Sequence, residues 1–516
     1  MNHDSRTYPF KFSIITAVYN VASYLSGAVE SILCQDIGFK ESVELILVDD
    51  GSTDSSGEIC DHYQALYPYN IKVLHKPNGG AASARNAGIA LASGKYLNFL
   101  DGDDKLSPNT LSAVYNFFST VDDQISLVSV PIQFFEKKEN AHRLNYKYRD
   151  GKDQIIDLNV QYSYVQMSIA SSFIKHNVLN DHSFDTSLRY AEDAKVIMQL
   201  LLDHPYYGIV PSGCYYYRFR NTQNSALNGT KLHREWYLDC LKNYLQWALH
   251  SARQKYGKIP FFVQYNVMYD LQSRFGVPEI PESVLTTAEH LEFRTLLKEL
   301  LQSIDDKIIL EQKNLSREQK DYIISFKKGN GTLTHAPEDL FFQYGNLKLY
   351  PASSYLLKLF HAEISGKDLR ITGSVKFNSR FPYPSALYVQ LQRHMLKARI
   401  FYCDWSANTS SDFVFDGTLL SQFLDFEVKI PLRFLHGQST LLFYMVCDSQ
   451  PVRFKSLRAE SSFPAVTSSS GTSCQLSIVS HTLSLKKRRS FFWLQYHNYR
   501  PAQSVILNNT LCYIFS

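Results

Sequence analysis

The 516-residue sequence lacks several features that would assign a chain to a class at once. Its eight cysteines are scattered without a CxxC pair, which argues against both a zinc site and a disulfide framework. The net charge is only +4, so no strong basic field points to nucleic acid as a partner. The N-terminus has no apolar signal segment, and no apolar run is long enough for a membrane-spanning helix. We therefore expect a reduced, cytoplasmic chain.

What remains is the composition of an ordinary globular protein. Hydrophobic residues make up 45% of the chain, charged residues make up 20%, and the length predicts about two to four domains. Aromatic residues are numerous, with 34 tyrosines and 33 phenylalanines. They suit the core of a β-rich domain and a sugar-binding surface equally well, so by themselves they indicate neither.

Residues 11–104 alternate between short apolar runs and segments with helical spacing. Strands that alternate with single helices predict a parallel sheet with right-handed crossovers. The apolar runs are nearly continuous, which is typical of strands covered on both faces. The sequence therefore predicts an open α/β sheet, with four strands in FSIITAVYN, VELILVDD, IKVLHK and KYLNFLD.

Polar residues follow three of these four strands, at the point where each strand ends. Asn20 follows the first strand, Asp49 and Asp50 follow the second, and Asp101 and Asp103 follow the fourth. Ligands of open parallel sheets bind beyond the carboxyl ends of the strands. We therefore expect these side chains to meet at one rim and to bind a ligand there.

The rest of the chain divides by its periodicity. Residues 126–225 look mixed, and long amphipathic stretches make residues 230–330 look helical. After about residue 350 the apolar period changes to two, which is typical of strands with one buried face. We predict an α/β domain over 1–228, a helical region over 229–345, and an all-β, sandwich-like domain over 346–516. Apolar residues that share one face of a predicted strand are Leu369, Ile371, Val375 and Phe377 in one strand, and Leu424, Phe426, Val428 and Ile430 in another.

Three carboxylates crowd the turn after the fourth strand, in FLDGDDKLSP, although like charges repel. Asp101 and Asp103 are spaced to share a divalent cation, and Mg²⁺ or Mn²⁺ prefers such oxygen ligands. Taken alone, the motif also fits an Asp-Gly turn with local caps. For Asp104 we predict only a local role, capping the turn toward Ser107 and Pro108.

A second acidic pair, Glu192 and Asp193, begins an apolar helical pattern. Such a pair can supply a general base, although acidic residues also favour a helix N-terminus without any catalytic role. Farther along, Arg218 and Arg220 with Ser225 are suited to hold a diphosphate, and a solvated basic strand is the alternative. We expect the alternation of an extended segment to turn only one of the two arginines toward a given face.

Gly79 and Gly80 precede a helix of small residues that contains Arg85. The free N–H groups at its start are suited to an anion. Small residues also allow a helix to pack closely on a sheet, and the two roles are compatible.

Taken in order, these motifs resemble those of the family 2 glycosyltransferases with the GT-A nucleotide-diphospho-sugar fold. The resemblance covers residues 11 to about 226 and rests on SIITAVYN, ILVDDGSTDSS, NGGAASARNAGI, YLNFLDGDD, YAEDAKVIMQLL and YYYRFR. It implies an inverting, metal-dependent transferase that moves a sugar from a nucleotide-diphospho-sugar, by family habit a UDP-sugar. The acceptor it implies is a hydroxyl of a cell-surface polysaccharide, a teichoic-type polymer or a lipid-linked glycan. The chain departs from the pattern at Gly102, where Ser is common, and after Ser225, where a second Ser is usual.

The resemblance also implies roles for single residues. Asp193 is the implied general base with Glu192 as its neighbour, and Asp101 and Asp103 are the implied ligands of a Mn²⁺ or Mg²⁺ ion. The implied donor-binding residues are Thr16, Tyr19, Asn20, Asp49, Asp50, Asn78, Arg85, Asp101, Arg218 and Ser225.

The later regions resemble parts of bacterial capsule- and teichoic-acid-associated transferases. Modules like the β-rich end bind polymer, mediate oligomerisation, or both, so we expect acceptor binding or a homo-oligomer there. The segment LKKRRSFFW, with Lys486 to Arg489 before Phe491, Phe492 and Trp493, suits an anionic membrane surface. A solvated basic edge is the alternative. Peripheral contact with the inner face of the plasma membrane is therefore a further expectation.

Two other functions remain open from the sequence alone. The same fold supports nucleotidyl transfer, although no Gly-rich pyrophosphorylase loop stands near the N-terminus. A carbohydrate-binding or assembly subunit with a vestigial GT-A domain is the non-enzymatic alternative. The intact carboxylates Asp101, Asp103 and Asp193 argue against such decay.

Overall fold

The computed structural model describes residues 7–121, 124–179, 182–220, 229–337, 339–393, 396–435, 438–459, 466–467, 473–479, 482–488 and 491–495. The chain forms two compact units. The first comprises Met1–Arg274 and Pro281–Lys313, and the second comprises Phe275–Ile280 and Asn314–Ser516. The division at residues 228 and 345 stays a prediction. Most of the helical region that follows residue 229 belongs to the same compact unit as the α/β sheet.

The first unit contains eleven described strands and eleven described α-helices. The strands are β1 (Phe10–Val18), β2 (Val43–Asp49), β3 (Ile71–His75), β4 (Gly94–Phe99), β5 (Lys105–Leu106), β6 (Leu127–Ser129), β7 (Ile132–Glu136), β8 (Gln154–Asp157), β9 (Ser172–Lys175), β10 (Tyr206–Ile209) and β11 (Tyr215–Phe219). The helices are α1 (Ala22–Leu33), α2 (Phe39–Ser42), α3 (Ser56–Leu66), α4 (Gly80–Leu91), α5 (Thr110–Val121), α6 (Glu192–Asp203), α7 (Arg234–Tyr237), α8 (Trp247–Tyr256), α9 (Phe261–Leu271), α10 (Thr287–Gln302) and α11 (Asp306–Glu311).

The main sheet has the strand order β3-β2-β1-β4-β9-β6-β10-β8. Its first four strands pair in parallel, as the sequence predicts, whereas β9 and β8 run antiparallel to their neighbours. The strand order reverses at β1: β2 and β3 are added on one side of β1, and β4 is then added on its other side. Such a reversal opens a crevice at the carboxyl ends of the strands, where ligands of this kind of sheet bind.

Helix α4 packs closely on the sheet because small residues lie on the face that it buries. A Cβ atom on Gly88 would lie 2.3 Å from Cγ2 of Ile15 in β1. Ala84 on the same helix is fully buried. The small residues of α4 therefore serve the close packing that the sequence allowed.

A separate three-stranded sheet has the order β5-β11-β7. Strand β5 follows directly on the acidic turn, and its two residues pair antiparallel with Tyr215 and Tyr216 of β11. This pairing places the predicted basic strand beside the predicted metal-binding turn.

Amphipathic helices complete the first unit. A π-helical segment, Leu241–Gln246, leads into α8, and α10 begins with a capping box between Thr286 and Glu289. The ammonium of Lys195 in α6 lies 5.2 Å from the centre of the Trp247 ring in α8. These helices thus pack beside the helix that carries Glu192 and Asp193.

The second unit is dominated by β-strands, which begin at Thr332, earlier than predicted. The elements are α12 (Arg317–Lys328), β12 (Thr332–Ala336), β13 (Asp339–Tyr344), β14 (Leu347–Lys348), β15 (Leu356–Ser365), β16 (Asp368–Asn378), β17 (Ala386–Arg393), β18 (Leu396–Tyr402), β19 (Asp404–Phe415), β20 (Thr418–Pro431), β21 (Gln438–Cys447), β22 (Gln450–Arg453), β23 (Ser456–Ala459), β24 (Val466–Thr467), β25 (Ser473–Val479), β26 (Thr482–Arg488) and β27 (Phe491–Gln495).

The core of the second unit lies between two sheets, as predicted for a sandwich-like domain. Their strand orders are β19-β20-β16-β15-β23 and β18-β17-β21-β26-β27-β25-β24. The apolar residues predicted to share faces of β16 and β20 are all buried.

Within the described part of the chain, every helix is too short or too polar to cross a membrane. Arg489 lies outside the described residues. Membrane contact through the segment that begins at Lys486, and oligomerisation through the β-rich unit, stay predictions.

Candidate active site

The rim of the main sheet begins with the acidic pair at the end of β2. Asp49 accepts hydrogen bonds from the Ser52 backbone N–H at 3.0 Å and from Nδ1 of His75 at 2.9 Å. Burial opposes ionisation of Asp49, but these bonds outweigh it and lower the pKa of the carboxyl. Asp50 accepts from Nζ of Lys76 at 2.5 Å and from the backbone N–H of Gly80 at 2.7 Å. Both carboxylates therefore fix the two loops that border the rim.

Asn20 stands at the end of β1 in a left-handed backbone conformation, with φ of 52°. Its side-chain oxygen accepts from the Thr53 backbone N–H at 2.8 Å, which ties the first strand end to the second. Tyr19 beside it is half exposed, whereas Thr16 is buried in β1. Asn78 is exposed in the loop before α4. Of these four predicted donor-binding residues, Thr16 is thus the one without access to the surface of the rim.

Arg85 of α4 joins two acidic motifs that are far apart in sequence. It is only 7% exposed, and its Nη2 lies 3.0 Å from Oδ1 of Asp101 while its Nη1 lies 2.8 Å from Oε1 of Glu192. Desolvation opposes the charge on Arg85, but the two carboxylates outweigh it and raise the pKa of the guanidinium. The structure therefore brings the end of β4 and the start of α6 together around one buried cation.

The general-base candidate lies next to this ion pair. Asp193 is part-buried in the first turn of α6, and Ala191 before it has a φ of 66°. Burial raises the pKa of Asp193 to about 7, and the negative charge of Glu192 adds to the shift. Strained backbone of this kind is concentrated at functional sites. The pair Glu192 and Asp193 thus lies beside Arg85 and Asp101, and its catalytic role stays a prediction.

Asp103 and Asp104 face the strand β11. Nη2 of Arg220 contacts Oδ2 of Asp103 at 2.6 Å. Burial raises the pKa of Asp103, and the negative charge of Asp101 adds to the shift against the opposing charge of Arg220. The prediction that Asp104 caps the turn toward Ser107 and Pro108 is wrong. Its buried carboxylate accepts from the hydroxyl of Tyr215 at 2.6 Å and from the backbone N–H of Arg218 at 2.7 Å, because the turn folds onto β11 rather than onto the residues that follow it.

Arg218 of β11 and Arg220, one residue beyond the end of that strand, share a face, contrary to the expectation for an extended segment. Both guanidinium groups lie over the ring of Tyr24, at 4.8 Å for Arg218 and 4.9 Å for Arg220. Side chains two positions apart point to the same side of a strand, so the expectation applied the alternation incorrectly. Nη1 of Arg218 also lies 2.7 Å from Oε2 of Glu136. Ser225 lies outside the described residues.

Tyr24, Glu136 and Tyr215 are the site residues that sequence reasoning missed. Tyr24 belongs to an amphipathic helix and Tyr215 to an aromatic strand, so both look like core residues. Glu136 ends β7 with a φ of 79°. No pattern in the sequence indicates this backbone conformation.

A divalent cation fits this arrangement in its ligand chemistry. Asp101 and Asp103 offer carboxylate oxygens on one turn, and the burial and repulsion acting on Asp103 are what a cation would relieve. No cluster of three or more metal-ligating side chains occurs among the residues that the structure describes. Mg²⁺ needs only one or two carboxylates when substrate phosphates supply other ligands.

Comparison with known proteins identifies relatives of this chain. The family model described as glycosyl transferase family 2 matches residues 13–183. The Bacillus subtilis minor teichoic acid biosynthesis protein GgaA is 33% identical over 70% of this chain and 79% of its own length. GgaB, from the same organism and with the same description, is 32% identical over 86% of this chain, but the chain spans only about half (49%) of GgaB.

Solved structures show the same fold. The crystal structure of S. aureus TarS matches 92% of this chain and 85% of its own chain, with a TM-score of 0.52 and 15% identity. TarS 1-349 in complex with UDP-GlcNAc matches 66% of this chain and 99% of its own, with a TM-score of 0.51 and 18% identity. The similarity to GgaA and the match to the family model show that the chain belongs to glycosyl transferase family 2.

Proposed function

We propose that this chain is an inverting, metal-dependent glycosyltransferase that moves a sugar from a UDP-sugar to a hydroxyl of a teichoic-type or related cell-surface polymer. The observation that carries the proposal is the double ion pair of Arg85 with Asp101 and Glu192. It links the turn expected to hold the metal ion to the helix that carries Asp193, the expected base. This link supports a transfer site in which the donor and the base lie side by side.

The relatives support the choice of substrates. GgaA and GgaB are named for minor teichoic acid biosynthesis, and TarS is crystallised with UDP-GlcNAc. UDP-GlcNAc is accordingly the first donor to test, with a teichoic-type polymer as acceptor.

The mechanism assigns one step to each group at the rim. Asp193 accepts the proton of the acceptor hydroxyl, whose oxygen forms a bond to the anomeric carbon. The bond between that carbon and the diphosphate oxygen breaks, and the electron pair leaves with the nucleoside diphosphate. Arg218 is the residue that we propose binds this diphosphate. Asp101 and Asp103 would hold a divalent ion, which would offset the negative charge that develops on the leaving diphosphate. One displacement inverts the anomeric configuration, as in inverting hydrolases.

The test combines the full chain with Mn²⁺ or Mg²⁺, a panel of UDP-sugars and teichoic-type polymers. We expect UDP release that depends on both acceptor and cation, and a product anomer opposite to that of the donor by NMR. Retention of the anomeric configuration would contradict inversion. Donor binding without acceptor-dependent release would favour the binding subunit instead, and pyrophosphate release from a nucleoside triphosphate and a sugar phosphate would favour nucleotidyl transfer.

A further inference from the structure

The third aspartate of the acidic turn has no role in the proposed transfer, yet it is the most deeply buried of the three. Asp104 is 1% exposed, and its two hydrogen-bond donors, the Tyr215 hydroxyl and the Arg218 backbone N–H, come from residues 111 and 114 positions later in the sequence. Long-range partners of this kind show that the carboxylate connects two segments of the fold rather than closing its own turn.

Tyr215 extends the connection back to the start of the turn. Its hydroxyl donates to Oδ2 of Asp104 at 2.6 Å and accepts from the backbone N–H of Asp101 at 3.3 Å. The backbone N–H of Asp104 also donates to the carbonyl of Asp101 at 3.0 Å. One fully buried hydroxyl thus holds both ends of the segment that displays the Asp101 and Asp103 carboxylates.

Arg218 closes the connection from the other side. While Asp104 accepts from its backbone N–H, the Nε of Arg218 donates to the backbone carbonyl of Asp103 at 2.8 Å. The turn and the strand β11 therefore hold each other through reciprocal bonds. The carboxylates of the turn and the guanidinium of Arg218 cannot shift independently while these bonds persist.

A buried carboxylate beside two others is a costly way to hold a turn. A neutral amide or a hydroxyl would satisfy the Tyr215 hydroxyl without adding a third like charge. A carboxylate, in contrast, has acceptor capacity on both oxygens and accepts from Tyr215 and Arg218 at once. The Asp104 carboxylate therefore supplies two hydrogen-bond acceptors at a fixed separation.

We propose that Asp104 is a positioning residue that sets the spacing between the Asp101 and Asp103 carboxylates and Arg218, and thereby the affinity for the diphosphate of the donor. The proposal rests on the proposed function for the identity of that ligand. Asp104 acts through Tyr215 and through the backbone of Arg218, without touching substrate.

The experiment measures binding of UDP with Mn²⁺ to the full chain by calorimetry, together with thermal unfolding of the free chain. The variants are Asp104→Asn, Tyr215→Phe and the double substitution. Two matched controls remove equivalent groups elsewhere in the same unit. Glu44→Gln alters a fully buried carboxylate that Ser13 and Ser93 hold, and Tyr148→Phe removes a buried hydroxyl that Ser129 holds.

We expect Asp104→Asn to weaken UDP binding by about tenfold, near the lower end for loss of a hydrogen bond to a charged group. Tyr215→Phe should weaken it by roughly threefold to fivefold, because this variant keeps the bond from the Arg218 backbone N–H to Asp104. The loss of UDP affinity in the double variant should be smaller than the product of the two single losses, because both substitutions disrupt the same hydrogen bond between Tyr215 and Asp104. Glu44→Gln and Tyr148→Phe should lower the melting temperature and leave UDP affinity unchanged.

Unchanged UDP affinity in Tyr215→Phe, which keeps the packing of the ring, would overturn the proposal even if Asp104→Asn failed to fold. Equal losses of affinity in the two controls would overturn it as well, since the effect would then be general destabilisation. Absence of UDP binding in the unmodified chain is a distinct result, because it would contradict the proposed function itself and remove the ligand on which the proposal rests.

Discussion

Nε and Nη2 of Arg220 both contact Oδ2 of Asp103, at 2.7 Å and 2.6 Å. A divalent ion on Asp103 would compete with the guanidinium for that oxygen. We therefore predict that Arg220→Gln tightens Mn²⁺ binding to the donor-free chain by roughly threefold to tenfold, the range that a partly exposed ion pair of about 1 kcal/mol implies. Titration of free Mn²⁺ by electron paramagnetic resonance measures the change.

The matched control is Lys105→Gln, which removes a positive charge two residues from Asp103, at the start of β5. Equal tightening in both variants would mean that only the net charge matters. Weaker Mn²⁺ binding in Arg220→Gln would show instead that Arg220 holds Asp103 in the orientation that a cation needs.

Arg85→Gln should destabilise the first unit. The substitution leaves Asp101, Glu192 and Asp193 close together without their buried cation, and breaking such a pair costs about 3 kcal/mol. Urea unfolding of the full chain measures the loss. Arg85→Lys keeps the charge but cannot bridge both carboxylates, so it should recover part of the stability while transfer stays impaired. A chain with Arg85→Gln that is as stable as the unmodified one would contradict the central role of this ion pair.

The pH dependence of transfer should report on Asp193. Its pKa of about 7 means that the carboxyl is protonated, and unable to act as a base, below that pH. We predict that kcat falls about tenfold per pH unit below pH 7, as the fraction of ionised base does. A profile that stays flat down to pH 5.5 would contradict the assignment.

Asp193→Asn should keep UDP binding and lose transfer by at least about a thousandfold, within the usual contribution of a general base. The folded state raises the pKa of Asp193 above its unfolded value of 3.8, so ionisation above pH 7 opposes folding. The variant should therefore be more stable than the unmodified chain at pH 8, and this advantage should shrink as the pH falls through 7 toward 4. Near-normal turnover in Asp193→Asn would exclude Asp193 as the base.

Gly88→Ala should destabilise the chain by about 1–3 kcal/mol, the usual cost of overpacking. The new Cβ would lie 2.3 Å from Cγ2 of Ile15, so α4 or β1 has to move. Thermal unfolding checks the effect against Gly229→Ala, whose new Cβ would have no neighbour closer than 3.7 Å. Similar melting temperatures for the two variants would contradict the close contact of α4 with β1.

Much of the fold follows from local pattern, and much of the site does not. The parallel order of β1 to β4 and the polar residues at their ends are encoded within short segments, so the sequence predicts the rim. The partners of Asp104 lie more than a hundred positions away, and no pattern around Asp104 indicates which strand the turn will meet. Likewise, the amphipathic helices after residue 229 show that one face is buried, but not that the α/β sheet unit covers it.

The chain passes from one compact unit to the other three times, after Arg274, after Ile280 and after Lys313. A protein whose modules follow one another along the chain can lose or exchange a module through a single break. Here a truncation at residue 313 would still carry the six residues Phe275–Ile280 without the strands they belong with, and a truncation at 228 would strip α6 of the helices packed beside it. Exchange of the whole β-rich unit between related enzymes would therefore need three coordinated junctions, which favours inheritance of both units together.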